Sequence, residues 1–186
     1  MDTSDDAQFE QALAYDGTVV PRYARRFGDP MLAALRFGAR GNVLDLACRT
    51  GYPSLQILQM APDGRVIALD RDPRYLELAR ARAGVDTGRR VFFKQSTGVA
   101  LRFGPEVFSH AMCNLLDRVT VDRPTALAEV SRVLVSGGQI AYSLPLQGSF
   151  IEPMDMLREV ATRYDLARVG ERVEQYATTL PTPELL

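Results

Sequence analysis

Between residues 43 and 144, five short apolar runs alternate with segments carrying helix signals, and this alternation constrains the fold more than any other feature. The runs are Val43 to Ala47, Arg65 to Leu69, Val91 to Lys94, Val107 to Cys113 and Gln139 to Leu144. Between the first two, Pro53 suits a first helical turn, Leu55, Ile57, Leu58 and Met60 supply an apolar face, and Pro62-Asp63-Gly64 closes the segment. Between the second and third, Asp72 caps a helix opened by Pro73, with Leu76, Ala79 and Ala83 on one side and Gly84 at the stop. A further helix starts at Asp122 and Pro124, runs through Leu127, Val130, Val133 and Leu134, and ends at Ser136-Gly137-Gly138. Strands alternating with helices predict an α/β fold: a parallel sheet of about five strands flanked by helices, with right-handed crossovers.

Around this core the pattern is helical. Residues 1–7 read as a flexible acidic tail and 8–40 as an N-terminal helical cap that Pro21 and Gly28-Asp29-Pro30 cut into pieces. The α/β core spans 41–150, and 151–186 forms a C-terminal helical segment with a helix from about Pro153 to Val169. The 22 basic and 23 acidic residues leave a net charge of −1, so no global field draws the chain to nucleic acid or an anionic membrane. With two cysteines, an acidic N-terminus and no apolar run long enough to span a bilayer, the expected location is the cytoplasm. The Arg80, Arg82, Arg89 and Arg90 group reads as a solvated face.

In an open α/β sheet, ligands bind beyond the carboxyl ends of the strands, where strand order reverses. There the chain reads Val43-Leu44-Asp45-Leu46-Ala47-Cys48-Arg49-Thr50-Gly51, and a second acidic residue, Asp70, ends the second strand. A carboxylate so placed accepts both hydroxyls of a ribose. The nicotinamide-type fingerprint G-x-G-x-x-G is absent.

These residues resemble the class I S-adenosylmethionine-dependent methyltransferases, in the group of small-molecule domains that includes the quinone-biosynthesis type. The family's loop pattern D-x-G-x-G-x-G corresponds to Asp45, Ala47, Arg49 and Gly51, and its acidic second-strand end to Asp70. The segment from Glu129 to Ile140 is similar to the family's helix and turn into strand five. The resemblance implies a Rossmann-like methyltransferase fold with S-adenosylmethionine held at Asp45, Ala47, Arg49, Gly51, Asp70 and Thr97; no metal is implied, and no catalytic residue is singled out. Strands six and seven of the family are missing, which suggests a truncated domain or a protein partner, or second copy, covering the strand-five edge.

Three departures bear on function. Ala47 replaces a glycine where a methyl group fits a turn that does not need positive φ. Arg49 replaces a second, where a guanidinium opposes a sulfonium ligand and can instead pair with Asp45 or Asp70. Thr97 and Ser109 stand where the family carries acids. They point toward an impaired pseudoenzyme acting as a binding or assembly module; the alternative is an active methyltransferase for a small-molecule acceptor. Cys48, Cys113 and His110 read as structural, Asn114 and Asp117 as loop or acceptor-side residues, and Tyr15 and Tyr23 as packing or contacts over the cofactor.

Overall fold

The computed structural model describes residues 3–38, 40–98, 100–115 and 123–183. Helix α1 spans Thr3–Ala14, and α2 spans Arg25–Ala34. The core follows as β1 (Asn42–Leu46), α3 (Ser54–Met60), β2 (Arg65–Asp70), α4 (Pro73–Ala83), β3 (Val91–Gln95), β4 (Phe108–Cys113), α5 (Arg123–Val133) and β5 (Leu134–Tyr142). Helices α6 (Ile151–Arg163) and α7 (Ala167–Thr179) come last. The five strands form one sheet in the order β3-β2-β1-β4-β5, and every pairing is parallel. The order reverses beside β1, so the carboxyl ends of β1 and its neighbours are where a ligand crevice belongs.

Local chemistry explains the helices that match expectation. Asp72 caps α4 by accepting the Arg74 N–H at 3.0 Å, with Pro73 in the first turn and Leu76, Ala79 and Ala83 buried. Val43, Val66, Val91 and Met112 face these helices across the sheet and form one core with Leu76 and Ile57. Each such side chain contributes about 1.5–3 kcal/mol by leaving water.

Three local expectations differ from the structure. Helix α1 already begins at Thr3, inside the segment expected to be a tail. The N-terminal helical run then continues to Ala34, because Tyr15–Ala24 winds as a π-helix that contains Pro21. The wider winding changes which carbonyl a proline ring would strike. Gly28 does not break α2 either: a Cβ there would overlap the Tyr52 ring, so glycine serves close approach. Finally, α5 ends at Val133 and Ser136-Gly137-Gly138 lies inside β5, where the register with β4 shifts between Phe108 and His110. A Cβ on Gly138 would lie 2.9 Å from the Val135 carbonyl and 3.1 Å from that of Ser109, so the bulge needs glycine. Asp122, expected as the α5 cap, lies outside the described residues.

The chain divides into two compact units, Met1–Ser143 and Leu144–Leu186, so the division falls at Ser143 and the N-terminal helices belong with the sheet. The second unit is a helical hairpin built on Met154, Val173 and Leu180, with Phe150 and Ala177 packed against them. The single helix expected from Pro153 to Val169 is interrupted after Arg163, where Asp165 takes a φ of 54°. No strand beyond β5 occurs among the described residues.

Candidate functional site

The site grows from the turn that leaves β1. Ala47, Arg49 and Gly51 have φ of 57°, 49° and 98°. All three positions of the alternating pattern are left-handed, although only the third is glycine. Ala47 therefore does need positive φ, contrary to the expectation of a mild change. For an L-residue this conformation costs about 1–2 kcal/mol. The turn is held by Cys48 N–H donating to Leu69 carbonyl oxygen and Gly51 N–H donating to Cys48 carbonyl oxygen, each at 2.9 Å.

Arg49 resolves the choice left open by the sequence, pairing with Asp70 and not with Asp45. Its backbone N–H donates to Asp70 Oδ2 at 3.0 Å, and its Nε lies 3.9 Å from the same oxygen. The guanidinium stands over the rings of Tyr15 and Tyr75, at 5.8 and 5.3 Å from their centroids, and the two rings meet edge to face. The Arg49 side chain is 17% exposed and that of Asp70 2%. The other Asp70 oxygen accepts the Asp72 N–H at 3.0 Å, so both oxygens are engaged within the chain.

Asp45, on the adjoining strand, is fully buried. Its Oδ2 accepts the Ser54 hydroxyl at 2.5 Å, while its Oδ1 has no partner. Burial, reinforced by the neighbouring Asp70 charge and partly offset by Ser54, pushes its carboxyl up to about 7. Burial also raises the Cys48 thiol, aided by Asp45 and Asp70, so it is not poised as a thiolate.

The N-terminal helices are fastened over this loop. The Thr50 hydroxyl donates to Asp16 at 2.7 Å, Arg82 ion-pairs with Asp16, and the Tyr52 hydroxyl donates to Asp29 at 2.7 Å. Asn114 Nδ2 donates to the Ala24 carbonyl at 2.9 Å, and its Oδ1 accepts the Ser143 hydroxyl. His110 Nε2–H donates to the Arg36 carbonyl at 3.1 Å, and its Nδ1 meets the Ser109 hydroxyl at 2.9 Å. Both Asn114 and His110 thus work structurally, and Asp117 lies outside the described residues.

Asp45, Ala47, Arg49, Gly51 and Asp70 come together, and Thr97 lines a cleft of about 480 Å3 at the end of β3, with Leu69, Lys94, Leu101, Arg102 and Phe103. The wall of that cleft is clamped by α5: Glu129 accepts the Leu101 N–H, and Arg132 donates to the Leu101 and Phe103 carbonyls. Sequence reasoning missed Asp16, Ser54, Tyr75 and Arg82. Ser54 carried a usable signal, a hydroxyl in the first turn after the loop. Asp16 and Arg82 are 66 residues apart and carried none. Arg80, Arg82 and Arg89 are exposed, as expected of a solvated face, while Arg90 is half-buried and donates to the Leu58 carbonyl.

An adenosylmethionine-like ligand fits this arrangement only in part. Each Asp70 oxygen accepts one backbone N–H and keeps a second lone pair for a hydroxyl, Asp45 lies sealed beneath the turn, and Arg49 places a cation beside Asp70. The feature that opposes the cofactor is thus the Arg49 charge, set against its sulfonium.

Known proteins bear out the fold. Residues 43–138 match the methyltransferase-domain family. The demethylmenaquinone methyltransferase of Lactococcus lactis is 33% identical over 100 residues, which are 53% of this chain and 40% of that protein. The 2-phytyl-1,4-naphtoquinone methyltransferase of Thermosynechococcus vestitus is 31% identical over 153 residues, 77% of this chain and 67% of that protein. The chain thus spans only part of the length of these relatives. Among solved structures, a chain in the complex of the Haloferax volcanii Trm112 methyltransferase activator superposes with a TM-score of 0.64 at 21% identity, over 75% of this chain and 57% of the other. The loop at the end of β1, the acidic end of β2 and these matches together show that the chain belongs to the class I S-adenosylmethionine-dependent methyltransferase family.

Proposed function

We propose that this domain is a cofactor-excluding member of its family, a binding or assembly module in which Arg49 takes the place a ligand would hold. One observation carries this reading: the Arg49 backbone and guanidinium occupy an Asp70 oxygen between Tyr15 and Tyr75. Each oxygen of the carboxylate that would chelate ribose already accepts a backbone N–H, and a sulfonium brought near the guanidinium would be repelled by about 1–4 kcal/mol at 4 Å. The outer edge of β5, uncharged along Leu134–Tyr142, suits a protein partner or second copy there. A cytoplasmic location accords with the finding that no helix among the described residues is long and apolar enough to cross a membrane.

Calorimetric titration with S-adenosylmethionine and S-adenosylhomocysteine tests the proposal. The chain is expected to give no saturable heat at millimolar ligand, and Arg49→Gly is expected to gain binding. Saturable binding by the unaltered chain would overturn it.

A second reading, an active methyltransferase, is favoured by the partnerless Asp45 oxygen and the cleft beside Thr97. Under it Arg49 swings out when S-adenosylmethionine arrives, and the names of the relatives point to a demethylated quinone ring as the small-molecule acceptor.

A further inference from the structure

The cleft at the end of β3 has a chemistry of its own. Its floor is apolar: Leu69 and Leu101 are buried, and Phe103 is half-buried with its ring edge to face against buried Phe108, the centroids 5.1 Å apart. Register sets Lys94 of β3 beside Leu69 of β2, so the one lysine of the chain stands over this floor, its ammonium 5.8 Å from the Phe103 centroid. Arg102 lines the same cleft with Ser96 and Thr97, and no carboxylate lines it among the described residues. Neither Lys94 nor Arg102 has an ion-pair partner among those residues. Glu129, behind the wall, is engaged by Arg132 and by the Leu101 N–H. The frame is held in place: Arg132 binds the Leu101 and Phe103 carbonyls, Gln95 Nε2 donates to the Arg71 carbonyl at 3.0 Å, and the Ser96 hydroxyl accepts the Gly98 N–H at 3.2 Å. Two cations without carboxylates over an aromatic floor, in about 480 Å3, suit a molecule with a dianionic head and a flat apolar body.

We propose that this cleft binds a small aromatic phosphate, with Lys94 and Arg102 on the phosphate and the ring against Phe103. A neutral base such as adenine would leave both cations without a counter-charge, and inorganic phosphate would leave the apolar floor open to water. Arg49 does not line the cleft, so the proposal stands whether or not the β1 turn excludes S-adenosylmethionine.

The test is calorimetric titration of the full chain with phenyl phosphate, set beside phenol, inorganic phosphate and adenosine. Phenyl phosphate is expected to bind saturably at millimolar concentration or below, at least tenfold more tightly than the other three, and more weakly as salt rises. Lys94→Ala and Arg102→Ala are each expected to weaken that binding at least tenfold while leaving the melting temperature unchanged, as befits exposed positions. Arg89→Ala, at an exposed arginine outside the cleft, is expected to leave it unaltered, and so is Arg49→Gly, whatever that change does to S-adenosylmethionine binding. Reductive methylation with a 13C label keeps the lysine charge and gives a single side-chain amine signal, which is expected to shift as phenyl phosphate is added. Absence of saturable binding at millimolar phenyl phosphate would overturn the proposal, as would binding indifferent to both Lys94→Ala and Arg102→Ala. Inorganic phosphate binding as tightly would make this a bare anion site, and adenosine binding as tightly a site for a neutral base; either result would equally overturn it.

Discussion

Asp45 and Asp70 close the ends of two adjacent strands, and both are buried, yet they are treated in opposite ways. Both Asp70 oxygens receive hydrogen bonds, and a guanidinium stands alongside. Asp45 has one hydroxyl and a bare oxygen. The difference follows from the single cation in the loop. The left-handed turn at Arg49 sends both its N–H and its side chain toward β2, which leaves the β1 carboxyl without charge compensation. Asp45 holds its proton to about pH 7, while Asp70 has a cation partner. Of the two buried carboxyls, only Asp70 is thus given a cation by the chain, and Asp45 is given a hydroxyl.

The widest test of this contrast is the pH dependence of stability. Asp45 is raised from 3.8 to about 7 in the folded state, so the folded chain binds a proton that the unfolded chain has already released. Its contribution is full below pH 4 and is lost as pH rises through 7, with a ceiling of roughly 4 kcal/mol. Urea unfolding of the unaltered chain is expected to show this fall between pH 4 and 7.5, and Asp45→Asn to flatten it. An equal slope in both proteins would mean that the bare oxygen is hydrated.

Next in size is the Asp70 side. Asp70→Ala strips Arg49 and Asp72 of their shared acceptor and leaves a largely buried guanidinium, at an expected cost of about 3 kcal/mol in urea unfolding. A loss below 1 kcal/mol would place Arg49 in solvent and dissolve the contrast.

The smallest effect sharpens the turn itself. Ala47→Gly relieves a left-handed alanine but adds freedom to the unfolded chain, for a net gain of about 0.5 kcal/mol. A melting temperature that rises slightly would confirm the strain, and one that falls would show the methyl group is packed.

What was legible in the sequence is what short-range chemistry decides. Asp72-Pro73 and Gly84 bound α4 within a few residues of each other, and the apolar runs pair by burial, so the parallel sheet and its order beside β1 were within reach. Where two distant segments meet, the signals misled. Gly28 reads as a break until Tyr52 is placed against it, and Ser136-Gly137-Gly138 reads as a helix stop until β4 lies beside it. In the site, the β1 turn and Asp70 were identifiable from their resemblance to the family's loop pattern, but the partner of Arg49 was not, because Asp45 and Asp70 are equivalent on paper. The φ of Ala47 was likewise invisible, since alanine is no marker of a left-handed turn.

The bond from Asn114 to the Ala24 carbonyl joins residues 90 positions apart. During synthesis the ribosome releases Ala24 many seconds before Asn114 exists, at roughly 5–20 residues per second. The N-terminal segment is therefore secured in two stages, first by the bonds of Asp16 and Asp29 to Thr50 and Tyr52, and then by Asn114 once β4 is laid beside β1.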